Sequence, residues 1–202
     1  MNIGVLALQG AFREHVQMLR GIGVEACEVR LPSELTNCDG LIIPGGESTT
    51  IGKVARAYGL MEPLRAYARV GHPVWGTCAG MILLASDIGR ETPHLGLMDV
   101  KVQRNAFGRQ VDSFEVDLAI AGSEALAREP FHAVFIRAPL IESVAPGVEV
   151  LARLPDGTIV AARQQNLLET SFHPELMRDG RVHEMFVERV NEETRRRVNL
   201  TG

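Results

Sequence analysis

Short, continuously apolar runs alternate with segments of helical period along the first 85 residues of the chain. Ile3-Gly4-Val5-Leu6-Ala7-Leu8 has no polar position, the pattern of a strand covered on both faces. Residues 11–20 then carry Phe12, Val16 and Leu19 at helical spacing, and Gly21 and Gly23 stop that helix. Val24 to Arg30 is a second strand, and Gly40-Leu41-Ile42-Ile43 a third, ending at Pro44-Gly45-Gly46. Thr49 to Tyr58 and Glu62 to Val70 read as helices. Pro73-Val74-Trp75 is a fourth buried strand, and Met81-Ile82-Leu83-Leu84-Ala85 the apolar start of another helix.

Strands alternating with helices imply a parallel sheet wrapped on both faces, and such sheets bind ligands at the carboxyl ends of their strands. Three loops gather there: Gln9-Gly10, Gly45-Gly46-Glu47-Ser48 and the turn around Cys78. From Val100 to Val160 the pattern changes to short β-branched strands separated by turns. Asp156-Gly157, between Val148–Leu154 and Thr158–Ala162, is a hairpin signal. This half reads as antiparallel or mixed sheet extending the parallel core. Gly180 to Arg197 is a closing helix with Val182, Met185, Phe186, Val187 and Val190 on its buried side, and Arg195-Arg196-Arg197 complement the dipole at its solvated end. The predicted fold is therefore α/β: three layers, a mostly parallel central sheet with helices on both faces, and an antiparallel or mixed extension. No linker, repeat or low-complexity stretch divides the chain, so residues 1–202 read as one domain.

Composition narrows the class of function. A hydrophobic content of 46% with 20 glycines suits an α/β protein rich in tight turns, and a net charge of −4 argues against nucleic acid or an anionic membrane as main partner. The longest uncharged stretch, Pro73 to Ser86, falls short of the ~20 apolar residues of a membrane helix. No basic region precedes the N-terminal apolar run, so a secretory signal is not expected. Three cysteines cannot all pair within one chain and no C-x-x-C occurs, which fits a reduced cytoplasmic protein with one working thiol.

That thiol is Cys78. In Gly76-Thr77-Cys78-Ala79-Gly80 it stands on the turn between a strand and a helix, where small neighbours let the backbone expose a nucleophile above the sheet, and a helix N-terminus favours thiolate. Far downstream, Ser171-Phe172-His173-Pro174-Glu175 offers a base. His173 precedes a proline and is biased to an extended conformation, in which residues two apart share a side, so Glu175 can accept a hydrogen bond from one imidazole nitrogen while the other faces Cys78. Taken alone, His173-Pro174-Glu175 reads equally as a surface turn; the Cys78 turn in the same chain makes it a base and its orienter. The Ala79 N–H is the natural first oxyanion donor, and Gly45-Gly46 a source of the second that can also change conformation. Gly46 to Gly52-Lys53 is not a phosphate loop: it has one residue too many between the glycines, Val54 replaces the hydroxyl, and Glu47 brings negative charge. Cys27 and Cys38 read as structural thiols. His15, His72, His94, His132 and His183 show no ligand spacing, so neither a metal nor a cofactor is expected. Arg104, in a polar segment that continues through Gln110, and Arg137, at the end of Phe135-Ile136, are candidates for holding a carboxylate.

G-x-C-x-G, a distant H-P-E and an upstream P-G-G together resemble the class I (triad) glutamine amidotransferases. More closely, the chain resembles the glutaminase subunits of pyridoxal 5′-phosphate synthases. The likeness runs through Gly4-Val5-Leu6-Ala7-Leu8-Gln9-Gly10-Ala11-Phe12-Arg13-Glu14-His15, Pro44 to Thr50, the Cys78 turn, Arg104-Asn105-Ala106-Phe107-Gly108-Arg109-Gln110, Phe135 to Pro139 and the His173 segment. Glu169-Thr170 departs from the pattern without touching a catalytic position. The resemblance implies that Cys78 attacks the side-chain amide of L-glutamine, that His173 protonates the departing ammonia and then activates water against a γ-glutamyl thioester, and that Glu175 orients His173. It implies Gly46 and Ala79 as oxyanion donors, and Gly46, Glu47, Ser48, Arg104, Ile136 and Arg137 as glutamine-binding residues. It further implies a separate synthase subunit that receives the ammonia within a hetero-oligomer, with Gln9, Gly45 and the first helix at that contact. Two alternatives stand beside it: a glutaminase serving another synthetase, and a non-catalytic regulatory partner, which a missing nucleophile or base would favour.

Overall fold

In a computed structural model, residues 1–104 and 113–201 are described, with side chains through Arg197. The predicted segment Asn105 to Gln110 lies outside them. The chain runs β1 (Asn2–Leu6), α1 (Phe12–Gly21), β2 (Glu25–Val29), a 3-10 turn (Pro32–Asn37), β3 (Gly40–Ile43), α2 (Ser48–Ala57), α3 (Met61–Arg69), β4 (Val74–Thr77), α4 (Ala79–Leu84), β5 (Ala85–Asp87), β6 (Met98–Gln103), β7 (Ser113–Leu118), α5 (Glu124–Arg128), β8 (Phe131–Ile136), β9 (Leu140–Val144), β10 (Glu149–Arg153), β11 (Ile159–Gln164), β12 (Leu167–Thr170), a second 3-10 turn (Pro174–Leu176) and α6 (Arg181–Thr201).

The large sheet has the order β2-β1-β3-β4-β12-β11-β9-β6-β5, with β10 paired to β11. The pairs from β2 through β12 are parallel, and β11 against β12, β9 and β10 is antiparallel. The apolar runs have the predicted cause. Along β3, Leu41 and Ile43 face one core and Ile42 the other, so no position of the strand meets water. Ile51 and Ala55 of α2, Leu64 of α3 and all of α4 except glycine cover the first face. Val16 and Leu19 of α1, with Val182, Phe186 and Val190 of α6, cover the second.

Four expectations need correction. First, β7 and β8 do not join the large sheet but form a separate antiparallel ribbon. Phe131, Ala133 and Phe135 alternate inward along β8 and pack on the α1/α6 face with Phe172, so the ribbon is a lid on one core. Second, the helix after Cys78 starts at Ala79 and is only six residues long, because Ala85 already pairs with β6. Third, α6 continues to Thr201, so the three arginines lie inside it and are not its last turn. Fourth, Val187 is only half-buried.

Glu169, a departure noted in the sequence, is fully buried in β12 between Gly76 of β4 and Ala162 of β11, and neither carboxyl oxygen has a hydrogen-bond partner among the described residues. Burial pushes its carboxyl well above the usual carboxylate range. The folded chain therefore holds a proton that the unfolded chain releases above pH ~4.3. The sign follows from proton linkage: stability is greatest below that pH and declines as pH rises towards the folded-state pKa, by up to about 1.4 kcal/mol per pH unit for one proton. Glu169→Met keeps the volume without the ionisation. Its stability advantage over the wild type, read from urea midpoints, is expected to widen as the pH rises above 5; a constant gap would refute the account.

Candidate active site

Cys78 is the single residue between β4 and α4. Its backbone has φ 49° and ψ −105°, a left-handed conformation held against the ordinary preference of an L-residue. The surroundings over-determine it. The Cys78 N–H donates to the Thr170 carbonyl at 2.8 Å, one step beyond the Thr77–Thr170 register of β4 and β12. A Cβ on Gly80 would lie 2.0 Å from the Ile43 carbonyl oxygen, and one on Gly76 2.6 Å from the Gly80 carbonyl, so both flanking glycines are demanded by close backbone approach.

β12 leads directly into the partner segment. The His173 N–H donates to the Val134 carbonyl of β8 at 2.9 Å, so the ribbon fixes the base as the sheet fixes the thiol. His173 Nδ1 lies 2.8 Å from Glu175 Oε1, the predicted pairing. The reason differs from the sequence argument, since Pro174–Leu176 is a 3-10 turn and not an extended stretch. The two side chains meet across that turn. With Nδ1 engaged by Glu175, Nε2 of His173 is left for Cys78, whose Cβ and the imidazole both border Gly45. Burial pulls the imidazolium down, but the hydrogen bonds and charges of Cys78 and Glu175 outweigh it and raise His173 to about 10. The arrangement can hold an imidazolium beside a sulfur nucleophile at neutral pH.

Cys78 and His173 open into a cavity of about 480 Å³ that also exposes Gln9, Gly46, Glu47, Ser48, Ala79, Ile82, Arg104, Ile136, Arg137 and Pro139. That volume suits a small polar metabolite. Every predicted site residue is at this cavity except two. Glu175 lies behind His173, and Gly45 packs against the pair: a Cβ there would stand 2.6 Å from His173 Cε1 and 3.3 Å from Cys78 Cβ. The Gly45–Glu47 segment is tied to the start of α1. Gln9 Oε1 accepts from the Glu47 N–H at 2.7 Å, and the Gly45 carbonyl accepts from the Ala11 N–H at 3.0 Å. Gly10 at φ 97° allows this approach, since its Cβ would fall 1.8 Å from the Gly45 oxygen.

Glu47 uses its carboxylate to cap α2. It accepts from the Thr50 hydroxyl and from the N–H groups of Thr49 and Thr50, which hold it down to about 2. Arg104 crosses the mouth, with Nη1 2.8 Å from Glu91 Oε1 and Nη2 3.4 Å from both Glu47 Oε1 and Thr49 Oγ1. Ser48 Oγ is buried at the cavity without a hydrogen-bond partner among the described residues. Arg137 projects from the end of β8 with φ 43°, where the ribbon turns away. Sequence reasoning missed Ile82 and Pro139 as wall residues. It also left His15 and His183 without a role, although His15 Nε2 lies 3.4 Å from Glu175 Oε2. Only the tertiary contact reveals them: His15 closes the Gly4-to-His15 segment with no chemistry signalled there, and His183 lies in no motif.

The SNO glutamine amidotransferase family matches residues 5–192 of the chain. A protein of Moorella thermoacetica named pyridoxal 5′-phosphate synthase subunit PdxT is 60% identical over 191 residues, covering 94% of this chain and 100% of the relative. One of the same name from Dehalococcoides mccartyi is 59% identical over 192 residues, covering 93% and 96%. A crystal structure described as a glutamine amidotransferase superposes with a TM-score of 0.87 at 50% identity, covering 94% of this chain and 98% of that one. With its Cys78 turn, its buried His173–Glu175 pair and this kinship over nearly its whole length, the chain belongs to the SNO glutamine amidotransferase family.

Proposed function

We propose that this chain is the glutaminase of a pyridoxal 5′-phosphate synthase, acting as one domain over residues 1–202. The observation that carries the chemistry is His173, buried, hydrogen-bonded to Glu175 and opening with Cys78 into one polar cavity. Cys78 sulfur attacks the side-chain carbonyl carbon of L-glutamine. The tetrahedral oxyanion is held by the N–H groups of Gly46 and Ala79. As the C–N bond breaks, His173 gives its proton to the leaving ammonia, and a γ-glutamyl thioester forms. His173 then takes a proton from water, whose oxygen displaces the sulfur to yield L-glutamate. Glu175 keeps Nδ1–H of His173 in place throughout. Arg104 and Arg137, with Ser48, Ile136 and the backbone at Glu47, hold the substrate's amino-acid end.

Ammonia set free in neutral water is protonated and no longer nucleophilic, so its use requires delivery inside a complex. Relatives named as synthase subunits support a separate synthase as that partner, in a cytoplasmic hetero-oligomer. No helix among the described residues is long and apolar enough to cross a membrane. Gly45-Gly46 is the proposed control point, turning the Gly46 N–H to the oxyanion when the partner docks. The tie of this segment to Gln9 and Ala11 makes α1 the natural route for that signal.

Glutamate release from L-glutamine, followed with and without the synthase subunit, tests the reading. Activity is expected only with the synthase and only with Cys78; a Cys78→Ala chain as active as wild type would overturn it. Activity that needs Cys78 but ignores the synthase would move the protein to another branch. Gly45→Ala drives a methyl between His173 and Cys78 and is expected to cost at least about 100-fold in kcat/KM while the folded chain persists by circular dichroism. Gly46→Ala meets Gln9 Oε1 at 2.4 Å and should lose stimulation by the synthase; normal stimulation would remove the basis of the switch.

A further inference from the structure

Behind the Cys78–His173–Glu175 row the chain continues a buried polar line that the proposed reaction does not use. Glu175 Oε1 is engaged by His173, but Oε2 is sealed from solvent and has no hydrogen bond of good geometry. The basic nitrogen within 4.0 Å of it is Nε2 of His15, at 3.4 Å; the same Nε2 lies 3.2 Å from Thr77 Oγ1. On its other side His15 Nδ1 lies 2.9 Å from Nε2 of His183 on α6. His183 Nδ1 is buried and has no hydrogen-bond partner among the described residues. Both imidazoles are fully enclosed and packed edge-on to Trp75.

These contacts decide the tautomers. A buried ring N–H without an acceptor is costlier and rarer than a bare ring nitrogen. The unpartnered Nδ1 of His183 must therefore be the bare one, which puts its proton on Nε2. That N–H donates to Nδ1 of His15, so the proton of His15 is on its own Nε2. The alternative, a proton on Nδ1 of His15, would orphan a His183 N–H and also turn a nitrogen lone pair towards the Glu175 carboxylate. Both rings stay neutral: burial, with the nearby His173 imidazolium, holds His15 well below its ordinary value, and burial holds His183 at about 3.

We propose that His15 is a positioning residue of the catalytic site: its Nε2–H, fixed by His183 and donated to Thr77 Oγ1, stands 3.4 Å from the second oxygen of Glu175 and restrains the carboxylate that orients His173. The groups facing His15 are His183 from α6, Thr77 and Trp75 from β4, and Glu175 and His173 from the segment after β12. This inference rests on the glutaminase reading above. It acts through Glu175 and does not itself line the cavity, so it bears on turnover and not on substrate binding.

A matched pair of variants separates donor chemistry from packing. The amide nitrogen of Gln overlays Nε2 of a histidine, and that of Asn overlays Nδ1. With the synthase present, His15→Asn is expected to lower kcat for glutamate release by about 10- to 100-fold, the usual cost of losing an outer partner of a working imidazole, with KM for glutamine within about twofold. His15→Gln should recover most of that loss at the same thermal stability. Equal kcat for the two variants, or a loss carried by KM, overturns the proposal. Absence of Cys78-dependent activity in the wild type would instead refute the glutaminase reading. Independently of activity and of variant folding, histidine ¹⁵N shifts of the intact chain should show the Nε2–H tautomer at both His15 and His183; a proton on Nδ1 of His15 refutes the assignment.

Discussion

The parallel pairing of β4 with β12 is the constraint on which the site depends. The two strands are separated by some ninety residues of chain, yet their ladder runs from Val74–Leu167 to Thr77–Thr170 and on through the Cys78 N–H. Because both strands end on the same edge, the thiol and the imidazole emerge side by side. A shift of register by one residue would carry His173 and Glu175 to the wrong face and height. The antiparallel ribbon adds the other restraint, through the carbonyl of Val134 on the backbone of His173. Sheet and ribbon thus over-determine the base, while backbone contacts around Gly76 and Gly80 over-determine the left-handed turn at Cys78.

Glycine works here by what it leaves out. Gly10 and Gly45 let the first and third strand-end loops touch, and Gly45 also leaves room for His173 against Cys78. The consequence is mechanical coupling: the start of α1, the Gly45–Glu47 loop and the catalytic pair form one contiguous set of contacts. His15 extends the same coupling from below, since it joins α1 to Glu175 and, through His183, to α6. Helices on one face of the sheet therefore reach the reacting atoms without lining the cavity.

Much of this was legible in the chain. Apolar runs such as Leu41-Ile42-Ile43 require cover on both faces whatever their neighbours do, and Gly76 to Gly80 reads as a strand-to-helix turn from local sterics alone. The Asp156-Gly157 hairpin and the buried side of α6 follow from equally local rules. The ribbon of β7 and β8 was not legible, because alternation in Phe131, Ala133 and Phe135 says that one face is buried but not against what. The turn at Pro174 was misjudged for a related reason. Proline biases the residue before it, whereas the packing of Pro174 and Glu175 decides the turn that follows.

The sequence by itself determined the class of fold, the candidate thiol, base and acid, and the loops that would meet at the strand ends. These depend on period, on local backbone sterics and on the chemistry of individual side chains, all of which act over a few residues. Only the tertiary structure decided how Glu47 spends its carboxylate, that Glu169 is buried without a partner among the described residues, and that His15 and His183 stand behind Glu175. Burial and hydrogen bonding between residues as far apart as His15 and His183 depend on strand order and helix placement, and no local pattern encodes them.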